Sequence, residues 1–212
     1  MRPCKEHDDL GCPMTRINRV DGRGPSPCRI MLIAGAPGKV EDKKGKASLG
    51  KAGSELENLY LPQCAKVDWR NVYITKVVKC RTNEKDRAPN ADELSACGQL
   101  LIDELFKQAP KFVGTIGSLS TRFLLGDDAR IDKMHGFAYP CCLPSNGDVD
   151  RHNGFEFMVM PLYHPSYGLS NTAMMRHIME DFERFGKMVR GDESVMWKEH
   201  EYANTVDHDS RG

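Results

Sequence analysis

Residues 29–53 read RIMLIAGAPGKVEDKKGKASLGKAG, and the change of character at residue 35 decides the fold. The first six residues, RIMLIA, are a short unbroken apolar run, the mark of a parallel strand buried on both faces. A loop of glycine, lysine, acid and small residues hangs directly on its end. In α/β sheets the carboxyl ends of the strands are where sites are built. The pattern then repeats along the chain. Residues 72–78 (VYITKVV) make a second strand, 112–116 a third and 155–161 a fourth. Helical spacing fills the intervals: 51–61, stopped by Pro62; 90–108, with Asn90 as cap and Glu93 completing a capping box; 118–125; and 171–189. Residues 127–153 read as loop, with PCCLPSNGDVDRHNG as a hairpin or excursion. Strands alternating with helices predict a three-layer α/β/α sandwich around a four-stranded parallel sheet. One domain is expected over residues 1–191, opened by an irregular N-terminal wrap, with a polar tail over 192–212.

The chain has 212 residues, enough for one domain with a real core. Its 30 Lys and Arg balance 30 Asp and Glu, so any nucleic-acid surface must be a local patch. No apolar run approaches the length of a membrane span, and the start, MRPCKEHDDLGCP, lacks the apolar core of a signal peptide. The expectation is a cytoplasmic monomer without a membrane partner. In a reducing compartment, eight cysteines suggest metal or cluster ligation more than disulfides. Cys4 and Cys12 lie in the polar wrap, Cys80 follows the second strand, and Cys97 lies in the next helix. Four thiolates also suit zinc, although no pair has zinc-finger spacing. Cys97 taken alone also has a core-residue reading, the lesser one.

Three loops rich in reactive residues leave the same sheet edge. In the first, Gly35, Ala36, Pro37 and Gly38 allow a close backbone approach to a ligand. Lys39, Lys43, Lys44, Lys46 and Lys51 form a basic strip fit for phosphates, offset in part by Glu41 and Asp42. The second is TKVVKCRTNEKDR. The third, LYHPSYGLSN, carries His164.

Four stretches in order, AGAPGKVEDKKGKASLGKAG, ITKVVKCR, RAPNADELSAC and YHPS, resemble the motifs of family 4 uracil-DNA glycosylases. The likeness runs from Cys4 to about Arg184. It implies a uracil-DNA glycosylase-like fold and an enzyme that flips a base out of DNA and hydrolyses its N-glycosidic bond. It implies a structural 4Fe–4S cluster on Cys4, Cys12, Cys80 and Cys97, with zinc the lesser alternative. The first pair is spaced C-x7-C here, where the family has C-x-x-C. It also implies that His164 stabilises the departing base, that Ser166 and Tyr167 meet DNA, and that Tyr167 and Leu169 fill the space the flipped nucleotide leaves.

Three positions depart from the family. Its glutamate aligns with Gly35, its base-stacking phenylalanine with Ser48, and its base-reading asparagine with Lys76. Glu41 or Asp42 would have to supply the missing negative charge. A lysine offers only donors where an amide offers both donor and acceptor. The pocket of Gly35, Ala36, Pro37, Gly38, Ser48 and Lys76 should therefore be larger, more polar and more cationic. A bulky or polar modified pyrimidine is the expected substrate, with defence against modified viral DNA as one setting. A catalytically silent DNA-binding protein and an ordinary uracil-DNA glycosylase are the alternatives.

Overall fold

The computed structural model describes residues 12, 18–48, 50–82, 87–143, 154–169 and 171–197. Five strands, β1 (Ile30–Ala34), β2 (Val72–Lys76), β3 (Phe112–Ile116), β4 (Tyr139–Leu143) and β5 (Phe155–Leu162), form one sheet in the order β2-β1-β3-β5-β4. The first three and β5 are parallel, as expected for near-continuous apolar runs. All five residues of β1, β2 and β3 are buried. Alternation divides them between two cores. Ile30 and Leu32 point into the core under the helix Thr172–Val189, whereas Met31 and Ile33 point into the core under the helix Ala91–Gln108.

The sheet has one strand more than expected. Residues 139–143, taken as part of a loop or hairpin, pair antiparallel with β5 from Tyr139↔Val159 to Leu143↔Phe155. An edge strand carrying Pro140 and two half-buried cysteines lacks the apolar run that marks an inner strand.

Helix α3 (Ala91–Gln108) starts where its capping box dictates. Asn90 Oδ1 accepts from Glu93 N and Glu93 Oε2 accepts from Asn90 N, both at 2.9 Å. Leu101 and Leu105 on its inner face are fully buried, each worth roughly 1.5–3 kcal/mol by area. Helix α4 (Ser118–Leu125) shares that face of the sheet, and α6 (Thr172–Val189), capped by Asn171, covers the other. Two short helices, α1 (Lys39–Lys44) and α5 (Ile131–Met134), complete the set with α2 (Lys51–Glu55).

Pro62 does not stop the helix that begins at Lys51. After α2 the chain widens into π-helical turns over Leu56–Ala65 with Pro62 inside. The wider coil changes hydrogen-bond register, which tolerates a residue that has no N–H to give. This segment packs against α6, where Tyr60 stacks on Phe182 at 5.3 Å.

The wrap is tied to the outer edge of β2. Arg23 and Ile74 exchange backbone hydrogen bonds at 2.8 and 2.9 Å, and Val20 N donates to Lys79 O. At the other end, residues 193–197 of the expected polar tail pack on the body. Val195 is buried, and Trp197 stacks on Tyr139. Residues 198–212 lie outside the described residues. Among the described residues no helix is long and apolar enough to cross a membrane.

Candidate active site

The carboxyl ends of β1 and β2, the loop after β5 and the start of α2 enclose a cavity of about 340 Å³. Glu41, Ser48, Lys76 and His164 line it, with Ala36, Gly38, Lys39 and Lys51. The sequence therefore brought together residues from three distant loops. It did not bring all of its candidates here. Gly35, Pro37, Ser166 and Tyr167 are not among the residues lining the cavity, and Ser166 and Tyr167 are exposed beside it. Asp42, Lys43, Lys44 and Lys46 turn to a neighbouring cavity on the far side of α1, which they share with Arg19 and Arg23.

Glu41 organises the floor. Its Oε2 accepts from Gly38 N at 2.8 Å and its Oε1 accepts from Ser48 N at 2.5 Å. Lys76 Nζ, at the end of β2, sits 3.0 Å from the same Oε1, with both side chains 7% exposed. The carboxylate thus holds the two ends of the 38–48 loop and carries a buried ammonium. Among the described residues that line the cavity it is the one carboxylate.

Ser48 has φ 57°, a strained left-handed conformation outside glycine. Arg23 clamps it there, donating to Ala47 O and Ser48 O at 2.6 and 3.0 Å while pairing with Glu57. From below, Gly53 approaches so closely that a Cβ there would lie 2.5 Å from the Ser48 carbonyl. The Ser48 hydroxyl is buried and has no hydrogen-bond partner among the described residues.

His164 caps a single 3-10 turn, Pro165–Tyr167. Its Nδ1 accepts from Ser166 N at 3.1 Å and lies 2.7 Å from Ser166 Oγ. With Nδ1 accepting, the neutral ring carries its proton on Nε2. Burial, and then the Lys76 ammonium, push the imidazole down to about 4, against a smaller opposing effect of Glu41. At neutral pH this histidine is an uncharged N–H donor.

Two supporting residues were not singled out from sequence. Asp181 Oδ2 accepts from Tyr163 N at 2.8 Å, fixing the residue before His164, and its Oδ1 meets His135 Nδ1 at 2.7 Å. An aspartate between Ile178 and Phe182 on the apolar stripe of α6 was the signal. Arg23, the second, had none, because its role depends on where the wrap lands. Gly35 also has a neighbour that no motif reveals: a Cβ there would lie 3.2 Å from Leu119 Cδ2 of α4. A side chain at 35 would point towards α4.

Three of the candidate ligand cysteines, Cys12, Cys80 and Cys97, belong to the core on the other face of the sheet. Cys80 and Cys97 are buried, and Cys12 packs against the same core. Lys79 N donates to Cys97 Sγ at 3.2 Å. Cys4 lies outside the described residues, and among those described no three His, Cys, Asp or Glu side chains gather as a metal site. The donor chemistry fits a thiolate-held group. By contrast, burial pushes the thiols of Cys28 and Cys141 up to about 11, which keeps both protonated at neutral pH.

The family model described as the uracil DNA glycosylase superfamily matches residues 22–184. The chain is 32% identical to a type-4 uracil-DNA glycosylase of Sulfurisphaera tokodaii over 177 residues, covering 82% of this chain and 76% of that one. It is 30% identical to a type-4 uracil-DNA glycosylase of Thermotoga maritima, covering 84% and 88%. A DNA polymerase of Bacillus phage SP01 is 26% identical over 88% of this chain but only 19% of the polymerase.

Proposed function

The chain belongs to the uracil-DNA glycosylase superfamily, and from this we infer that it is a DNA glycosylase whose pocket takes a modified pyrimidine in preference to uracil. The observation that carries the reading is His164: a neutral imidazole, proton on Nε2, facing one cavity with the Lys76–Glu41 pair. In the reaction the bond between the base nitrogen and C1′ breaks, and the electron pair leaves with the base. Water adds to C1′ and gives up a proton to solvent. The base departs as an anion, and the Nε2–H of His164 donates to its carbonyl oxygen as that charge grows. Glu41 is engaged in holding the loop and Lys76, and Gly35 offers no carboxylate, so the sugar cation is met by water without a dedicated base. Release of base from duplexes carrying single modified pyrimidines, scored by alkali cleavage at the abasic site, tests this. DNA binding without release from any of them would leave a silent DNA-binding protein.

The substrate reading rests on what replaces the aromatic wall and the amide. Ser48 opens volume, and Lys76 supplies donors. Lys39 and Lys51 at the cavity, with Lys43, Lys44 and Lys46 beyond α1, would contact phosphates on either side of the flipped nucleotide. Exposed Tyr167 and Leu169 next to His164 would occupy the gap left in the duplex. Replacing Lys43 and Lys44 by Ala is expected to reduce the salt slope of DNA binding by about one to two in a log–log plot. An unchanged slope places the DNA elsewhere.

Cys4, Cys12, Cys80 and Cys97 would hold a 4Fe–4S cluster, which supplies a rigid cross-link between the wrap and α3 and no chemistry at the base. Anaerobically purified protein is expected to be brown with about four irons per chain, and Cys80→Ala to lose the iron. Stoichiometric zinc without iron would overturn the cluster assignment.

A further inference from the structure

His164 stands two residues beyond the end of β5, at the start of a single 3-10 turn. One turn of helix has few hydrogen bonds of its own, so the direction of the ring is set from behind. Leu162 O accepts from Gly117 N at 2.9 Å, which holds the end of the strand. Tyr163 N then donates to Asp181 Oδ2 at 2.8 Å. The other oxygen of Asp181 meets His135 Nδ1 at 2.7 Å, and the His135 ring lies against the Tyr163 ring at 4.3 Å between centroids. These contacts close a triangle. Asp181 holds the backbone of the residue before His164, His135 packs on its side chain, and the two hold each other.

The triangle is anchored on three elements. Asp181 is 1% exposed on α6. His135 caps the end of α5, and the residue after it is tied on both sides. Gly136 N donates to Pro161 O of β5 at 2.9 Å, and Arg184 Nε of α6 donates to Gly136 O at 2.5 Å. Gly136 has φ 73°, and a Cβ there would lie 3.1 Å from Asp181 Oδ1, so glycine lets this turn pass close to the carboxyl group. Docking of α6 alone does not call for a polar residue at 181, since Ile178, Phe182 and Phe185 already fill that core. A polar group buried there is costly unless matched, and both of its oxygens are matched around Tyr163. We propose that Asp181 and His135 are positioning residues for base release, which hold Tyr163 and through it set where His164 points its Nε2–H. This rests on the glycosylase reading above and names what aims the donor in it. A misplacement of about 1 Å at a reacting site costs on the order of a hundredfold in rate, so the aim is worth a buried carboxyl group.

The test is a double-mutant cycle in single turnover, on the pyrimidine duplex that wild type cleaves fastest, with DNA affinity measured alongside. Asp181→Ala is expected to be about ten- to a hundredfold slower, with DNA affinity within about threefold. In the His164→Ala background the same substitution should change the rate by less than about twofold, because the group it aims is gone. Asp181→Asn should stay within about threefold of wild type, since its amide oxygen still accepts from Tyr163 N. His135→Ala, which removes one of the two holds, should be about three- to tenfold slower, and it carries the comparison if Asp181→Ala does not fold. Equal slowing in both backgrounds, the mark of a merely structural residue, overturns the proposal, as does either folded variant at the wild-type rate. A second readout needs no cleavage. NMR of histidine-labelled protein follows proton uptake by His164, which burial and the Lys76 ammonium push down to about 4. Loss of a negative charge would lower it further, whereas a ring loosened into water rises towards about 6.5. Asp181→Ala should raise it to about 5 or above, and Asp181→Asn should not. If wild type releases no base, the glycosylase reading falls and this titration decides alone: a rise keeps the positioning role, and an unchanged ring in folded Asp181→Ala removes it.

Discussion

Replacing His164 by Ala is expected to slow base release by about a hundredfold or more in single turnover, with little change in DNA affinity. The size follows from removing one well-placed donor to a developing anion. The pattern follows from geometry. The ring lines the cavity proposed for the base, and the phosphate contacts are proposed for lysines around and beyond it. Ser166→Ala should cost much less, because Ser166 N, a backbone group, still donates to Nδ1 and keeps the tautomer. A His164→Ala rate within about threefold of wild type would remove the histidine from the mechanism.

Replacing Glu41 by Ala is expected to destabilise the fold by about 3–5 kcal/mol, measured by urea unfolding. The change strands the buried Lys76 ammonium and leaves Gly38 N and Ser48 N without their acceptor. Glu41→Gln should cost less, since its carbonyl still accepts from one of the two N–H groups. A loss below about 1 kcal/mol for Glu41→Ala would mean that the pair is dispensable. Either outcome bears on catalysis, because the same carboxylate shapes the loop that places Ser48 in the cavity.

Much of this was legible in the chain because the governing signals are local. The apolar runs of β1, β2 and β3 and the Asn90–Glu93 box of α3 each specify an element within a few residues. Strand β4 was read as loop because an edge strand with Pro140 needs pairing only on one side. Pro62 was read as a stop because the π-helical register around it is set by packing on α6. At the site, His164, Lys76 and Ser48 were found by motif position, yet their relations were not. Glu41 was weighed as a source of catalytic charge, whereas in the fold it is tied to two backbone N–H groups and Lys76. Asp42, one residue later on α1, was weighed with it and faces the other cavity. Adjacent helical residues point about 100° apart, so the pair could not both face His164.

The central claim is that His164 acts as a neutral donor from Nε2, and the pH dependence of single-turnover base release tests it most directly. A neutral imidazole whose proton uptake is pushed down to about 4 loses its competent form only as pH falls through that value. The rate on the pyrimidine-containing duplex that is cleaved fastest should therefore stay level from pH 8 to about 5 and drop only below that, with the drop absent in His164→Ala. A fall centred near the ordinary histidine value of about 6.5 would contradict the account.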